Sequence, residues 1–154
     1  MLSILSVIVM IALDQLVKYW TVSVLRPIGS IPILEKIFHL TYVENRGAAF
    51  SILQGQKTVF VLITMFVLIM ILLAFRKGWI VHFTGKWALL MVAGGAIGNV
   101  IDRLFRGFVV DMFDFCLINF PVFNVADIFV VCGSFLLVYY VLFKYPDPEK
   151  KDDN

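Results

Sequence analysis

The chain has 154 residues, of which 61% are hydrophobic and 16% charged, with 13 basic against 11 acidic side chains and a mean hydropathy of +0.94. Soluble domains carry about 45–50% apolar and about 25% charged residues, so a water-soluble globular protein is excluded and a small polytopic membrane protein is expected. A net charge of +2 with no basic patch among interleaved aromatics excludes nucleic-acid binding.

The first apolar stretch starts at Met1, is interrupted by Asp14, Gln15 and Lys18, and runs to about residue 24. It lacks the basic start and small-residue cleavage site of a removable leader, so it is expected to be a retained first span. Residues 25–56 differ in character. Pro27, Gly29 and Pro32 oppose helix, and Phe38-His39-Leu40-Thr41-Tyr42-Val43 alternates among β-prone residues, which predicts a small strand-rich platform between helices 1 and 2. At its end, Asn45-Arg46-Gly47-Ala48-Ala49-Phe50-Ser51 contains a glycine that permits close backbone approach and two alanines that leave room for a peptide or a lipid tail. A simple turn is the alternative there.

Thr58 to Phe75 has 18 residues without a charge and defines a second helix at about 57–76. A third is expected at about 86–106 and a fourth at about 124–144, both with ionisable residues at one end, followed by a disordered tail over about 145–154. The expected fold is an all-α membrane protein of four transmembrane helices with an extracytoplasmic platform, in one domain. Arg76, Lys77 and Lys86 crowd one short loop and Lys144, Lys150 and Lys151 the tail, which by density places both termini in the cytoplasm; raw totals of basic residues do not favour that orientation. Cys116 and Cys132 cannot build a disulfide framework and are read as free, packed thiols. His39 and His82 are far apart and expected on opposite membrane faces, so no His/Cys/carboxylate cluster and no metal are expected.

Ionisable groups near a span require a reason, since one at a helix centre costs about 2.5–3.5 kcal/mol on insertion scales. Asp14 and Lys18 are four apart and can pair on one helix face, as a structural ion pair or as support behind a site. Gly94 and Gly98 allow close helix approach, within one chain or between two, and Asn99, Asp102 and Arg103 follow them toward the helix end, facing the bundle interior. Asp111 lies just beyond the third span and Asp127 in the first turns of the fourth, so both carboxylates fall at the same membrane face. Two close carboxylates share a proton near neutrality, and such a pair can activate water and protonate a leaving amine. A rim aspartate and a helix-start aspartate held by the dipole is the other reading of the same spacing. Asp114 is read as solvated loop.

Five motifs in register resemble the bacterial lipoprotein signal peptidases, the signal peptidase II family of four-helix intramembrane aspartyl proteases. They are Asp14-Gln15-x-x-Lys18, Asn45-x-Gly47-Ala48-Ala49-Phe50-Ser51, Gly94-Gly95-Ala96-x-Gly98-Asn99-x-x-Asp102-Arg103, Val109-Val110-Asp111 and Phe123-Asn124-x-Ala126-Asp127. The resemblance implies that Asp111 and Asp127 are the catalytic pair. It also implies that Asn45, Gly47, Asn99, Arg103, Asn124, Asp14 and Lys18 bind substrate or support the site. It implies cleavage of prolipoprotein signal peptides on the amino side of a diacylglyceryl-modified cysteine, an active site toward the outer face, membrane lipids as surroundings and no cofactor. A monomer is expected. An amino terminus without basic residues and Met112, in place of a frequent aromatic, are the departures from the family pattern.

Two rival functions are weighed. An intramembrane proton or ion carrier needs polar residues at several depths, whereas here they gather toward one face and the second span has no charge. A serine protease built on Ser51 with His39 or Lys57 lacks an oriented triad in the sequence.

Overall fold

The computed structural model describes residues 2–47 and 56–145. The Ala48-Ala49-Phe50-Ser51 part of the loop motif and the tail beyond Tyr145 lie outside the described residues. Helix α1 covers Leu2–Trp20 and continues through a π-helical turn, Thr21–Leu25, and a last turn, Arg26–Ile28. Pro27 therefore does not break the helix where the sequence reading placed the break. It sits in the first positions of that last turn, where a missing N–H goes unneeded. The end comes at Gly29, whose φ of 87° turns the chain and whose N–H bonds Leu25 O at 2.8 Å.

Three further helices follow, α2 at Lys57–Arg76, α3 at Phe83–Phe105 and α4 at Val125–Phe143. All four are long and apolar enough to cross a membrane, and the chain is a multi-pass membrane protein. Helix α3 is the hub. Its small residues let neighbours approach on two faces: a Cβ on Gly94 would lie 3.0 Å from Met10 Cβ and one on Gly98 2.6 Å from the Asp14 carboxylate, both on α1. Gly95 faces α4, with its absent Cβ position against the Ala126 carbonyl, and Gly133 of α4 returns the fit 2.8 Å from Ala88 O. The glycines that the sequence offers for either intra- or intermolecular packing are used within this chain. Helix α2 is held more lightly, through Val67, Leu68 and Ile71 against Leu89 and Ala93 of α3, and most of its other side chains are exposed.

Where α1 ends, α2 begins, α3 ends and α4 begins, a three-stranded antiparallel sheet caps the bundle in the order β1-β2-β3, with β1 at Ser30–Leu34, β2 at Phe38–Asn45 and β3 at Val109–Asp114. The sequence reading places the platform wholly between the first two helices; the structure adds its third strand from beyond α3. Val109-Val110-Asp111-Met112 is β-prone but does not alternate and is too short a run to separate from a connecting turn. Strand alternation sends Val110 and Met112 into a core with Leu25 and sends Asp111 to the opposite face.

Candidate active site

Strand β3 presents Asp111 at 1% exposure, and the β2–β3 register sets Val43 opposite it. Asn45 stands two residues along the same face of β2, a diagonal cross-strand neighbour, and its Nδ2 donates to Asp111 Oδ2 at 2.9 Å. The other oxygen, Oδ1, accepts from Asn124 Nδ2 at 2.6 Å. Burial first, and the charge of Asp127 second, push the Asp111 carboxyl up to about 7, against the hydrogen bonds from Asn45 and Asn124 that favour its ionised form.

Asp127 is placed by the start of α4. Asn124 is the N-cap: its Oδ1 accepts from Asp127 N at 3.0 Å while Asp127 Oδ2 accepts from Asn124 N at 3.2 Å, a reciprocal capping box. That cap leaves Asp127 Oδ1 to accept from Asn99 Nδ2 at 2.8 Å. The helix-start reading of Asp127 and its pairing with Asp111 are thus compatible, because the same asparagine that caps the helix donates to the other aspartate. Asn124 Nδ2 also lies 3.2 Å from Asn99 Oδ1, closing a ring of amides around the two carboxylates.

Behind this ring lies a buried charge cluster. Lys18 Nζ pairs with Asp14 at 2.9 Å and Asp102 at 3.1 Å, all three side chains fully buried, and donates to Asn99 Oδ1 at 2.8 Å. Asp14 Oδ1 in turn accepts from Ala126 N at 2.9 Å, and Gln15 Nε2 reaches Asp14 and the carbonyl of Gly98, each at 3.1 Å. Asp102 is the member that the site assignment omits. It pairs with Lys18 and Arg106 and accepts from Val110 N at 3.0 Å, anchoring β3 to the end of α3. Its signal in the sequence is its place four residues before Arg106 and one turn along from Asn99.

Arg103 reaches from α3 to the Gly47 carbonyl at 3.4 Å and the Asn99 carbonyl at 3.5 Å, with its guanidinium 5.0 Å from the centre of the Phe60 ring on α2. Gly47 is buried, and its N–H donates to Asn45 Oδ1 at 3.0 Å, which turns the Asn45 amide toward Asp111. The structure therefore brings Asp14, Lys18, Asn45, Gly47, Asn99, Arg103, Asp111, Asn124 and Asp127 into one connected network. A cavity of about 720 Å³ opens onto it between α2, α3 and α4. Asn45, Asn99, Arg103 and Asp127 line its polar end, and Ile63, Val67, Val92, Val130 and Val131 its apolar remainder.

Two expectations are corrected. Asp114 is not a solvated loop residue: it ends β3, half-buried, and accepts from Thr41 Oγ1 at 2.9 Å. A His/Cys/carboxylate cluster does exist, made of His39, Asp114 and Cys116, which strand pairing joins across more than 70 residues of sequence. His39 is thereby engaged in the platform, and Ser51 lies outside the described residues.

Four membrane-length helices and a capping sheet thus hold two aspartates joined through one asparagine, and similarity to known proteins places the chain in the class of aspartic-type peptidases. The family model described as signal peptidase (SPase) II matches residues 6–143, and the chain belongs to that family. The lipoprotein signal peptidase of Clostridioides difficile (strain 630) is 48% identical over 145 residues, covering 93% of this chain and 96% of that one. That of Caldanaerobacter subterraneus subsp. tengcongensis is 46% identical over 147 residues, covering 93% and 97%. A solved bacterial membrane enzyme, determined by the in meso method at 2.3 Å resolution, superposes with a TM-score of 0.83 at 33% identity, covering 99% of this chain and 92% of that one.

Proposed function

We propose that this protein removes signal peptides from prolipoproteins, cutting on the amino side of a diacylglyceryl-modified cysteine, with Asp111 and Asp127 as the catalytic pair. The observation that carries the reading is that Asn124 serves both aspartates at once, donating to Asp111 at 2.6 Å and forming the capping box with Asp127. The two carboxyl groups share one proton. The ionised member takes a proton from a water as that water adds to the scissile carbonyl, while the protonated member donates to the carbonyl oxygen. Collapse of the tetrahedral adduct breaks the C–N bond, the amine leaves with a proton, and the pair returns to its singly protonated state.

Arg103 and Asn99 support the pair and the substrate carbonyl, Asn45 and Asn124 orient the peptide, and Asp14 and Lys18 hold Asn99 from behind. The apolar part of the cavity suits the diacylglyceryl chains, whose burial contributes roughly 0.8 kcal/mol per CH₂ and favours a lipid-anchored cysteine over an unmodified one. The chain forms a single polytopic domain with the sheet and the aspartates at the extracytoplasmic face and both termini in the cytoplasm. The basic Arg76–Lys86 connection at the other end of the bundle supports that orientation. One chain supplies every member of the network, which supports a functional monomer among membrane lipids.

Cleavage of a diacylglyceryl-modified prolipoprotein peptide in detergent micelles tests the assignment. Asp111→Asn and Asp127→Asn are expected to fold and to be inactive, while Asp114→Asn cuts. Near-normal turnover by either of the first two makes that carboxylate structural.

A further inference from the structure

We propose that the platform carries a zinc-binding site formed by His39, Asp114 and Cys116, separate from the two aspartates of the peptidase reaction. The ligand-capable atoms of these three side chains all lie within 4.8 Å of one another. His39 and Asp114 are direct cross-strand partners in the β2–β3 pairing, and Cys116 opens the short 3₁₀ turn, Cys116–Ile118, that follows β3.

The polar bookkeeping of the three side chains points to a cation. His39 Nε2 is buried and has no hydrogen-bond partner among the described residues. A buried, unpaired ring nitrogen is costly, and a metal bond is one of the few ways to satisfy it on this strand. Asp114 uses Oδ2 to accept from Thr41, itself linked to Ser30 at 2.9 Å, which fixes the carboxylate plane and leaves Oδ1 for a ligand bond. The Cys116 thiol is free of any disulfide, lies 3.7 Å from the Asp114 carbonyl and interacts with the Asp114 carboxylate and the His39 backbone, so it faces the other two members of the cluster.

Donor chemistry selects the metal. One imidazole, one thiolate and one carboxylate form the mixed N, S, O set that Zn²⁺ accepts, whereas Ca²⁺ and Mg²⁺ require oxygen ligands throughout. Metal–ligand distances of about 2.0–2.3 Å in a tetrahedron put ligand atoms about 3.3–3.8 Å apart. Rotation of the His39 and Cys116 side chains about Cα–Cβ bridges the difference from 4.8 Å while Asp114 keeps its bond to Thr41, since strand pairing already holds the His39 and Asp114 backbones. Three protein ligands leave a fourth position for water. Bound there, the ion ties the start of β2 to the end of β3, the strand on which Asp111 stands three residues earlier.

The test uses the full chain, without a polyhistidine tag, in detergent micelles, titrated with Co²⁺ as a spectroscopic substitute and then with Zn²⁺. One equivalent of Co²⁺ is expected to give tetrahedral ligand-field bands and a thiolate charge-transfer band, both displaced by Zn²⁺. Cys116→Ser is expected to abolish the charge-transfer band, and His39→Gln and Asp114→Asn to weaken binding roughly 100-fold or more, beyond the 10–100-fold typical of residues behind a ligand. Cys132→Ser leaves all bands in place. Metal-free thermal midpoints near that of the wild type show that the variants fold. No charge-transfer band in the wild type at one equivalent, or a band and an affinity that survive Cys116→Ser or His39→Gln, overturns the site.

Discussion

Lys18 donates to Asn99 Oδ1 at 2.8 Å, and this bond decides which end of the Asn99 amide faces Asp127. A primary amide has one acceptor end and one donor end. With Oδ1 held by a buried ammonium and by Asn124, Nδ2 is left to Asp127 at 2.8 Å.

Lys18→Met keeps most of the stem and removes the charge. Asp14 then loses its buried cation and Asp102 retains Arg106 alone, so a loss of about 3–5 kcal/mol is expected, the range for breaking a buried pair from one side. Thermal unfolding in micelles measures it. Below its midpoint the variant is expected to cleave at least roughly tenfold more slowly, since about 1.4 kcal/mol of lost orientation suffices. Unchanged turnover in the folded variant shows that Asn99 holds its orientation without Lys18.

The pH response follows from Asp111, whose carboxyl is raised from 3.8 to about 7. Between those values the folded protein binds more protons than the unfolded chain, so this group's contribution to stability is complete below 3.8 and is lost as pH rises to about 7. Asp111→Asn is expected to flatten that slope. On the proposed mechanism peptidase activity is expected to fall as pH climbs past about 7, because the pair would lose the proton it donates. A kcat/KM profile that stays level well above neutrality contradicts the shared-proton pair.

Adjacent glycines differ in what an added methyl meets. Gly95→Ala drives a methyl into the Ala126 carbonyl, a backbone atom one residue from Asp127, and is expected to destabilise by about 1–3 kcal/mol and to depress turnover. Gly94→Ala meets Met10 less closely, with the Cβ at 3.0 Å fixed to its helix and the Sδ at 3.1 Å free to swing aside, and against the 2.3 Å backbone clash at Gly95 it is expected to be the milder of the two. Paired melting curves check the order.

Arg103→Lys retains the charge and loses the fork. One ammonium cannot serve the Gly47 and Asn99 carbonyls and lie over Phe60 together. A fall of roughly 10- to 150-fold in kcat/KM is expected, the size of one charge-assisted hydrogen bond at about 1.5–3 kcal/mol.

Local rules made part of this molecule legible. The charge-free run from Thr58 announced α2, the four-residue spacing of Asp14 and Lys18 announced their ion pair, and the short return between the third and fourth helices put Asp111 and Asp127 at one end. Pairings across the chain were not legible. Nothing in the neighbourhood of Asp102 signals that Lys18, 84 positions earlier, faces it, nor does the spacing of His39 and Cys116 reveal a shared strand register. Pro27 misled because proline opposes helix interiors yet fits a first turn, and only the π-helical widening at Thr21–Leu25 created such a turn there.

The hydrogen bond from Ala126 N to Asp14 Oδ1 spans 112 residues of sequence. In sequence order Asp14 first has Lys18 and Gln15 of its own helix as partners. Asp102 joins them when the third span arrives, and the Ala126 N–H only with the fourth. The Asp14 carboxylate thus takes Lys18 and Gln15 from its own helix and its remaining partner from the last span of the chain, so the two ends of the bundle are tied at a single side chain.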